Sequence, residues 1–453
     1  MKDLTSGNIR KNFLLFSIPL IISSILTQSF SLINTAVAGK FLGDSGIAAT
    51  GCTSGFINLI AIGIFSGYAL GNSIRVAMLF GKHEKEKIKS NYVFNYLLLL
   101  AACLLTALCV WLFDDGILRI LKVEDGIFQD AKRYMVITFF GLILAKLNEN
   151  SMYTLNAMGI TSVGVYTSLA NAVLTVIGNV LSVAVWDFGV VGIACSTVIA
   201  NLCVCIFYHF VMRHTFAQMG TLECKVTLDF SELRIGAPYT IPSIAQQLTI
   251  YAAMFIISPM INVLGDAAIA SYTIASRLRS YVQVLYHSSS RTVCNFSAQC
   301  VGASKTHLLR DGLRTSLLQG IAFAAPVLLV CILFPNALCS LFFQDTGTEA
   351  FRITVIFARF YLPFVLIHMI VNVFHSFFRG IGKARLLLVL TMIGSGAQIV
   401  FNILLIQRVD IWGVYLGWIL SWVVETVAII IIYYFGKWRE MLTPAQSRST
   451  QGV

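Results

Sequence analysis

Charge is what this chain has least of. Only 12% of its 453 residues are charged, and 21 aspartates and glutamates stand against 32 lysines and arginines. A soluble domain carries about 25% charged residues, most of them on a water-facing surface, so this scarcity excludes a water-exposed globule. The residue groupings of common enzymes are missing too. There is no HExxH, no Walker loop, no GxSxG and no cluster of His, Cys and Asp, which removes the motif-level case for a metalloprotease, a P-loop NTPase or a serine hydrolase. Eleven cysteines include no CxxC pair and lie mostly inside apolar runs. They read as small core residues rather than metal ligands or disulfide partners.

What is abundant is apolar length. The chain is 57% apolar with a mean hydropathy of +0.80, and twelve apolar windows between polar breaks reach the roughly 20 residues that a bilayer crossing needs. They cover 13–38, 53–80, 92–113, 132–154, 162–186, 190–212, 235–262, 268–300, 313–335, 351–376, 385–406 and 411–435. The expected fold is an all-α integral membrane protein. Lys2, Arg10 and Lys11 precede the first window in the manner of a signal peptide, but that window is longer than a signal core and contains Pro19, Gln28 and Asn34. It reads as a retained helix. Placing the N-terminus in the cytoplasm puts most Lys and Arg in inside loops, including the run Lys82 to Lys89. Both ends are then cytoplasmic and the protein is a multi-pass resident of the cell inner (plasma) membrane. The net charge of +11 reflects those loops and the anionic lipids they face, so no nucleic-acid partner is expected.

The stretch FLGDSGIAAT at Phe41 returns as VLGDAAIASY at Val263. Other anchors recur in the same order and at nearly the same offset. Pro19 matches Pro238, LFGKHEK at Leu79 matches CVGASKT at Cys300, NAMGITS at Asn156 matches RGIGKAR at Arg379, and Asn179 matches Asn402. Five pairs in register argue for two copies of one six-helix unit. Because six crossings is an even number, the copies are parallel, related by a pseudo-two-fold axis along the membrane normal. The expected division is an N-terminal bundle over 1–212, a cytoplasmic connection over 213–231, a C-terminal bundle over 232–440 and a tail over 441–453. Gly43-Asp44 and Gly265-Asp266 read as the same outside turn, with the aspartate capping the next helix.

These anchors, together with the SIP and GAP helix starts, the run from YTIASRLRSYVQ to AQCVGASK, and the LNAMG and FRGIG turns, resemble the multidrug and toxic compound extrusion family over about residues 8–435. The resemblance implies two six-helix bundles that export amphipathic compounds in exchange for sodium ions or protons. By motif position, the family's acids fall here at Asn34, Val183, Gln246 and His368, none of them acidic. Coupling through those carboxylates is therefore in doubt.

Candidate residues follow from what is polar inside apolar windows. Asn34, Asn179, Gln246 and Gln247 offer neutral oxygens for a cavity, or polar contacts between helices. Within 268–300, Arg279, Tyr281, Gln283, His287 and Arg291 make the most polar stretch of any window, which lines a cavity or forms a buried network. His368, Glu149 and Glu425 are the proton-coupling candidates. Lys146 lies one turn before Glu149 and is a plausible ion-pair partner, whereas Glu425 has no basic neighbour in sequence. Arg75 is expected to snorkel to the membrane surface. The surplus of arginine points away from lipophilic cations and toward anionic, zwitterionic or polar amphiphiles.

The leading reading is a proton- or sodium-driven antiporter of amphipathic small molecules with alternating access. Its rival is a flippase or exporter of a lipid-linked or anionic polar substrate, and a non-transporting membrane sensor stands behind both. No enzyme activity and no cofactor are expected beyond the transported proton or sodium ion. The partners are a small-molecule substrate and membrane lipids, and the chain is read as a monomer.

Overall fold

The computed structural model describes residues 2–29, 51–121, 123–183, 185–186, 188–226, 228–343 and 345–436. Among the described residues there is no strand. Ten helices combine the length and hydropathy of membrane crossings: α1 (Ile9–Ser29), α2 (Gly51–Gly81), α3 (Lys85–Leu112), α5 (Ser162–Val183), α6 (Gly189–Gln218), α7 (Ser231–Asn262), α9 (Thr306–Leu333), α10 (Glu349–Gly380), α11 (Ala384–Val409) and α12 (Ile411–Phe435). Two more, α4 (Phe128–Ala157) and α8 (Asp266–Gly302), have 30 and 37 residues. At 1.5 Å per residue both outreach a hydrocarbon core of about 30 Å. They fall short in hydropathy because α4 carries Lys146, Asn148 and Glu149 and α8 carries Arg277, Arg279 and Arg291. Each of the twelve windows thus has its helix. Large apolar side chains such as Leu105, Ile199, Phe255 and Ile431 are exposed, while Lys146, Glu425, Asn179 and Asn402 are buried. Polar groups gather between helices and apolar ones outside, as a hydrocarbon surround requires.

The repeat reappears in backbone geometry at helix ends. Two residues beyond the end of α2 lies His83 at φ 60°, and two beyond the end of α8 lies Ser304 at φ 59°, at matching places in LFGKHEK and CVGASKT. Gly159 at φ 82° and Gly382 at φ 79° occupy the corresponding turns after α4 and α10. All four close a left-handed cap in which the next residue's N–H reaches back to a carbonyl of the last helical turn. Glu84 donates to Leu79 O at 3.0 Å, Lys305 to Cys300 O at 2.8 Å, Ile160 to Leu155 O and Lys383 to Phe378 O both at 2.9 Å. Gly265, at φ 89°, is the N-cap of α8 and makes no side-chain cap bond. Asp266 is therefore not the cap expected from sequence. It is the first helical residue, where its charge meets the positive end of the helix dipole. Its counterpart at Gly43-Asp44 lies outside the described residues.

Two compact units emerge, Met1–Asp3 with Leu15–Leu248, and Leu4–Leu14 with Thr249–Val453. The cut inside α7 has a local cause in the first unit. Gly63, Gly67 and Gly71 form a stripe along α2, and a Cβ on them would come 2.7 Å from Leu248 Cδ2, 2.8 Å from Ile244 Cα and 2.6 Å from Thr240 Cα. Such glycine spacing lets two helix backbones touch, so the first half of α7 packs with α2. In the second unit the N-terminal segment is held by named contacts. Leu4 N–H donates to Gln299 Oε1 and Lys305 Nζ to Thr5 Oγ1, both at 3.0 Å, and Phe13 meets Phe296 edge-on at 5.1 Å.

Candidate functional site

In the first unit, α1, α4, α5 and α6 surround a cavity of about 480 Å³. Its charged groups come from one turn of α4. Lys146 Nζ lies 2.6 Å from Glu149 Oε2, and both meet a third group that the sequence did not single out, Ser66 on α2. Lys146 donates to Ser66 Oγ at 2.8 Å and the hydroxyl donates to Glu149 Oε2 at 2.9 Å. Ser66 closes a π-helical stretch, Leu59–Ser66, a local widening often found at functional positions. Nothing in the residue pattern marks such a stretch in advance. Around this triangle, Asn148 donates to the Asn201 carbonyl at 2.9 Å and Tyr208 meets Thr167 at 2.9 Å. The Oδ1 atoms of Asn148 and Asn171 have no partner, and both residues line the cavity. The wall therefore carries one cation and one anion, with two unpartnered acceptor atoms buried behind it.

In the second unit, three helices each present a stripe at i, i+4 and i+7, which is one face of a helix. α8 supplies Arg279, Gln283 and Tyr286, α10 supplies His368, Asn372 and His375, and α12 supplies Trp418, Trp422 and Glu425. The Tyr286 hydroxyl lies 2.7 Å and Gln283 Nε2 3.2 Å from His368 Nδ1. Asn372 Nδ2 lies 3.1 Å from the other ring nitrogen, so polar groups of α8 and α10 meet both nitrogens of the ring. The ring packs on Trp422 with centroids 4.8 Å apart. Two turns on, His375 Nε2 lies 3.0 Å from Glu425 Oε1. These atoms lack the alignment of a hydrogen bond. Gly394 on α11 makes the room, since a Cβ there would fall 2.4 Å from Glu425 Oε2. Arg279 lies over the Trp418 ring at 3.9 Å, a cation–π contact that spares the guanidinium a carboxylate partner.

The remaining sequence candidates are placed as follows. Asn179 is fully buried, and so is its repeat mate Asn402, which donates to the Gln398 carbonyl at 2.7 Å. Neither lines the cavity of the first unit. Val183 is buried in a second π-helical stretch, Leu181–Val185. Gln246 is buried on α7 and Gln247 half-buried, as are Tyr281, His287 and Arg291 on α8. Asn34 lies outside the described residues. Ser288, Ser289 and Ser290 are buried, so that part of the polar stretch of α8 sits among helices rather than on a water-filled wall. Arg75 does not extend alone to the membrane surface. It lies 3.6 Å from Glu232, which also accepts from Asn91 Nδ2 at 3.2 Å. Among the described residues no group of three or more His, Cys, Asp and Glu is arranged to hold a metal ion.

Twelve long helices, apolar outside, with charged pairs and polar stripes held between them, define a multi-pass membrane protein. The family model MatE matches residues 19–181 and again 242–404, two equal stretches that together exceed half the chain and coincide with the internal repeat. The chain belongs to the MATE family of transporters. It is 23% identical to the probable multidrug resistance protein YpnP of Bacillus subtilis (strain 168), over 97% of this chain and 98% of that protein. The fold matches a mutant of the Vibrio cholerae MATE transporter VcmN with a TM-score of 0.88 at 19% identity, covering 96% of this chain and 98% of that one. It equally matches an outward-facing multidrug resistance MATE family transporter of the MOP superfamily, TM-score 0.88 at 18% identity, over 98% and 99% of the two chains.

Proposed function

We propose that this chain is a plasma-membrane antiporter that exports amphipathic small molecules and takes its driving force from protons. The observation that carries the choice of ion is the facing of His375 by Glu425 at 3.0 Å inside the second unit. Both side chains change charge by exchanging a proton, and histidine does so near neutrality when unperturbed. Around the pair stand His368 two turns away on α10, Arg379 one turn on, and Tyr433 on α12. A sodium site wants several oxygens on one ion, and the positions where the family resemblance places acids read Asn34, Val183, Gln246 and His368. An ion and a substrate drive each other when they favour different states of one protein, which a pair switching between charged and neutral forms supplies.

Export of amphipathic compounds is supported by the multidrug names of the relatives, YpnP among them. The cavity of the first unit adds a constraint. Lys146 and Glu149 leave its wall with no net charge, so a polar or zwitterionic amphiphile meets no repulsion there, whereas a lipophilic cation gains no free carboxylate.

The test is reconstitution in liposomes with either a pH or a sodium gradient imposed, following a fluorescent amphipathic dye. A pH gradient alone is expected to drive uptake, and Glu425→Gln and His375→Gln to abolish that response while leaving dye binding intact. Uptake driven by sodium alone, with both variants active, overturns proton coupling. Translocation of a fluorescent lipid analogue without any transport of free dye supports the lipid-linked flippase instead.

A further inference from the structure

The second unit also contains a pocket of about 470 Å³ where the N-terminal segment meets α9. Arg10, Asp311 and Arg314 are its charged residues, Asn8 and Thr315 its polar ones, and Ile9 and Leu318 its apolar ones. Two arginines against one aspartate leave the lining cationic. Neither guanidinium makes an ion pair or a hydrogen bond among the described residues. A guanidinium is a planar fork suited to phosphate oxygens, and two of them on one pocket without a carboxylate partner leave that capacity unused.

The second observation is the order of residues along each helix. On α9, Arg314, Leu318 and Ile321 follow at i, i+4 and i+7, one above the other on a single face. Leu318 is 53% and Ile321 43% exposed. On the N-terminal helix, Arg10 is followed one turn later by Leu14, 45% exposed. Both helices therefore show a cation at one level and uncovered apolar surface immediately deeper. A free anion uses only the first level. A phospholipid uses both, with its phosphate at the guanidinia and its acyl chains along the leucines, and basic pockets between spanning helices suit anionic headgroups.

We propose that this pocket binds an anionic phospholipid of the leaflet nearest the N-terminus, with Arg10 and Arg314 on the phosphate and Leu14, Leu318 and Ile321 against the acyl chains. The site shares no residue with the cavity of the first unit or with the His375–Glu425 pair, so it stands whether or not the transport reading does. It also fastens the segment Leu4–Leu14 to α9, adding a lipid to the protein contacts already made by Leu4, Thr5 and Phe13.

The full-length protein in detergent is incubated with phosphatidylglycerol, phosphatidylcholine or inorganic phosphate, and retained lipid is counted by native mass spectrometry alongside the thermal midpoint. Phosphatidylglycerol is expected to be retained and to raise the midpoint, and the double variant Arg10→Gln/Arg314→Gln to weaken retention by about tenfold or more, as loss of two charge-assisted bonds predicts. Arg385→Gln, which removes an exposed arginine elsewhere, is expected to retain the lipid as the native protein does. The midpoint of the double variant without lipid reports whether it folds, and Arg314→Lys, which keeps the charge and loses the fork, is expected to fall in between. Equal retention of phosphatidylcholine overturns the proposal, as does undiminished phosphatidylglycerol on the double variant. Stabilisation by inorganic phosphate with no lipid retained overturns it in favour of a soluble anion.

Discussion

Replacing Lys146 by methionine removes the cation from the triangle in the first unit while keeping the side chain's length. Glu149 is then left with the Ser66 hydroxyl as its only polar partner from that triangle. Breaking a buried ion pair by deleting one member costs about 3–5 kcal/mol, because the other charge stays desolvated. The Glu149 side chain is 20% exposed and that of Lys146 10%, and the cavity admits water to both, so a loss of about 2 kcal/mol is expected here. Glu149→Gln leaves an ammonium that still has the Ser66 oxygen and a side-chain amide as acceptors, and about 1–2 kcal/mol is expected. The double variant removes both charges together and is expected to cost about 1 kcal/mol, less than Lys146→Met alone. The assay is thermal or detergent-driven unfolding followed with a thiol-reactive fluorophore. Cys103, Cys294, Cys300, Cys331 and Cys339 are free and buried while Cys109 and Cys203 are free and exposed, so labelling beyond that of the accessible thiols reports the opening of the bundle. If the two single losses simply add in the double variant, to within about 0.5 kcal/mol, the residues do not act as a pair and the account of the cavity wall fails.

Gly71→Val is expected to lower stability by about 2–3 kcal/mol, since the added Cβ would meet Thr240 Cα at 2.6 Å and backbone does not yield as a flexible side chain does. The control is Gly51→Ala, where nothing lies within 4 Å; size-exclusion recovery in detergent distinguishes the two, and equal recovery refutes the close crossing. Gly394→Ala is expected to push the Glu425 carboxylate off His375 and to reduce uptake driven by a pH gradient, measured in liposomes beside dye binding. His83→Gly and Ser304→Gly each relieve a left-handed conformation that costs a side chain about 1 kcal/mol, so each is expected to raise the unfolding midpoint. A fall in both would mean that their side chains contribute more than their backbone strain costs.

Much of this architecture could be read from residue order, because membrane crossing depends on apolar length alone. Each of the twelve windows acquired a helix, including the two whose charges keep α4 and α8 out of a hydropathy-based count. The Lys146–Glu149 contact was legible because its partners sit on one helix, three residues apart. The His375–Glu425 contact was not, since its members are on α10 and α12 and no local spacing relates them. The same holds for Arg75 with Glu232 and for Arg279 on Trp418. Ser66 was hidden for another reason. Its place at the triangle depends on a π-helical stretch, a backbone departure that the apolar run LIAIGIFS does not announce. The left-handed caps at His83 and Ser304 are an intermediate case. The repeat pointed to matching turns, but neither residue is the glycine that such a position favours.

The common period of the three stripes in the second unit has a mechanical consequence. With rungs at i, i+4 and i+7 on α8, α10 and α12, the helices mesh like racks cut to one pitch. An axial slip of α12 by one turn, about 5.4 Å, that brought Trp422 to the level of His375 would carry Glu425 off that histidine and past the end of the stripe. Unlike a single hinge, such a slip would change the partners of all three α12 rungs at once.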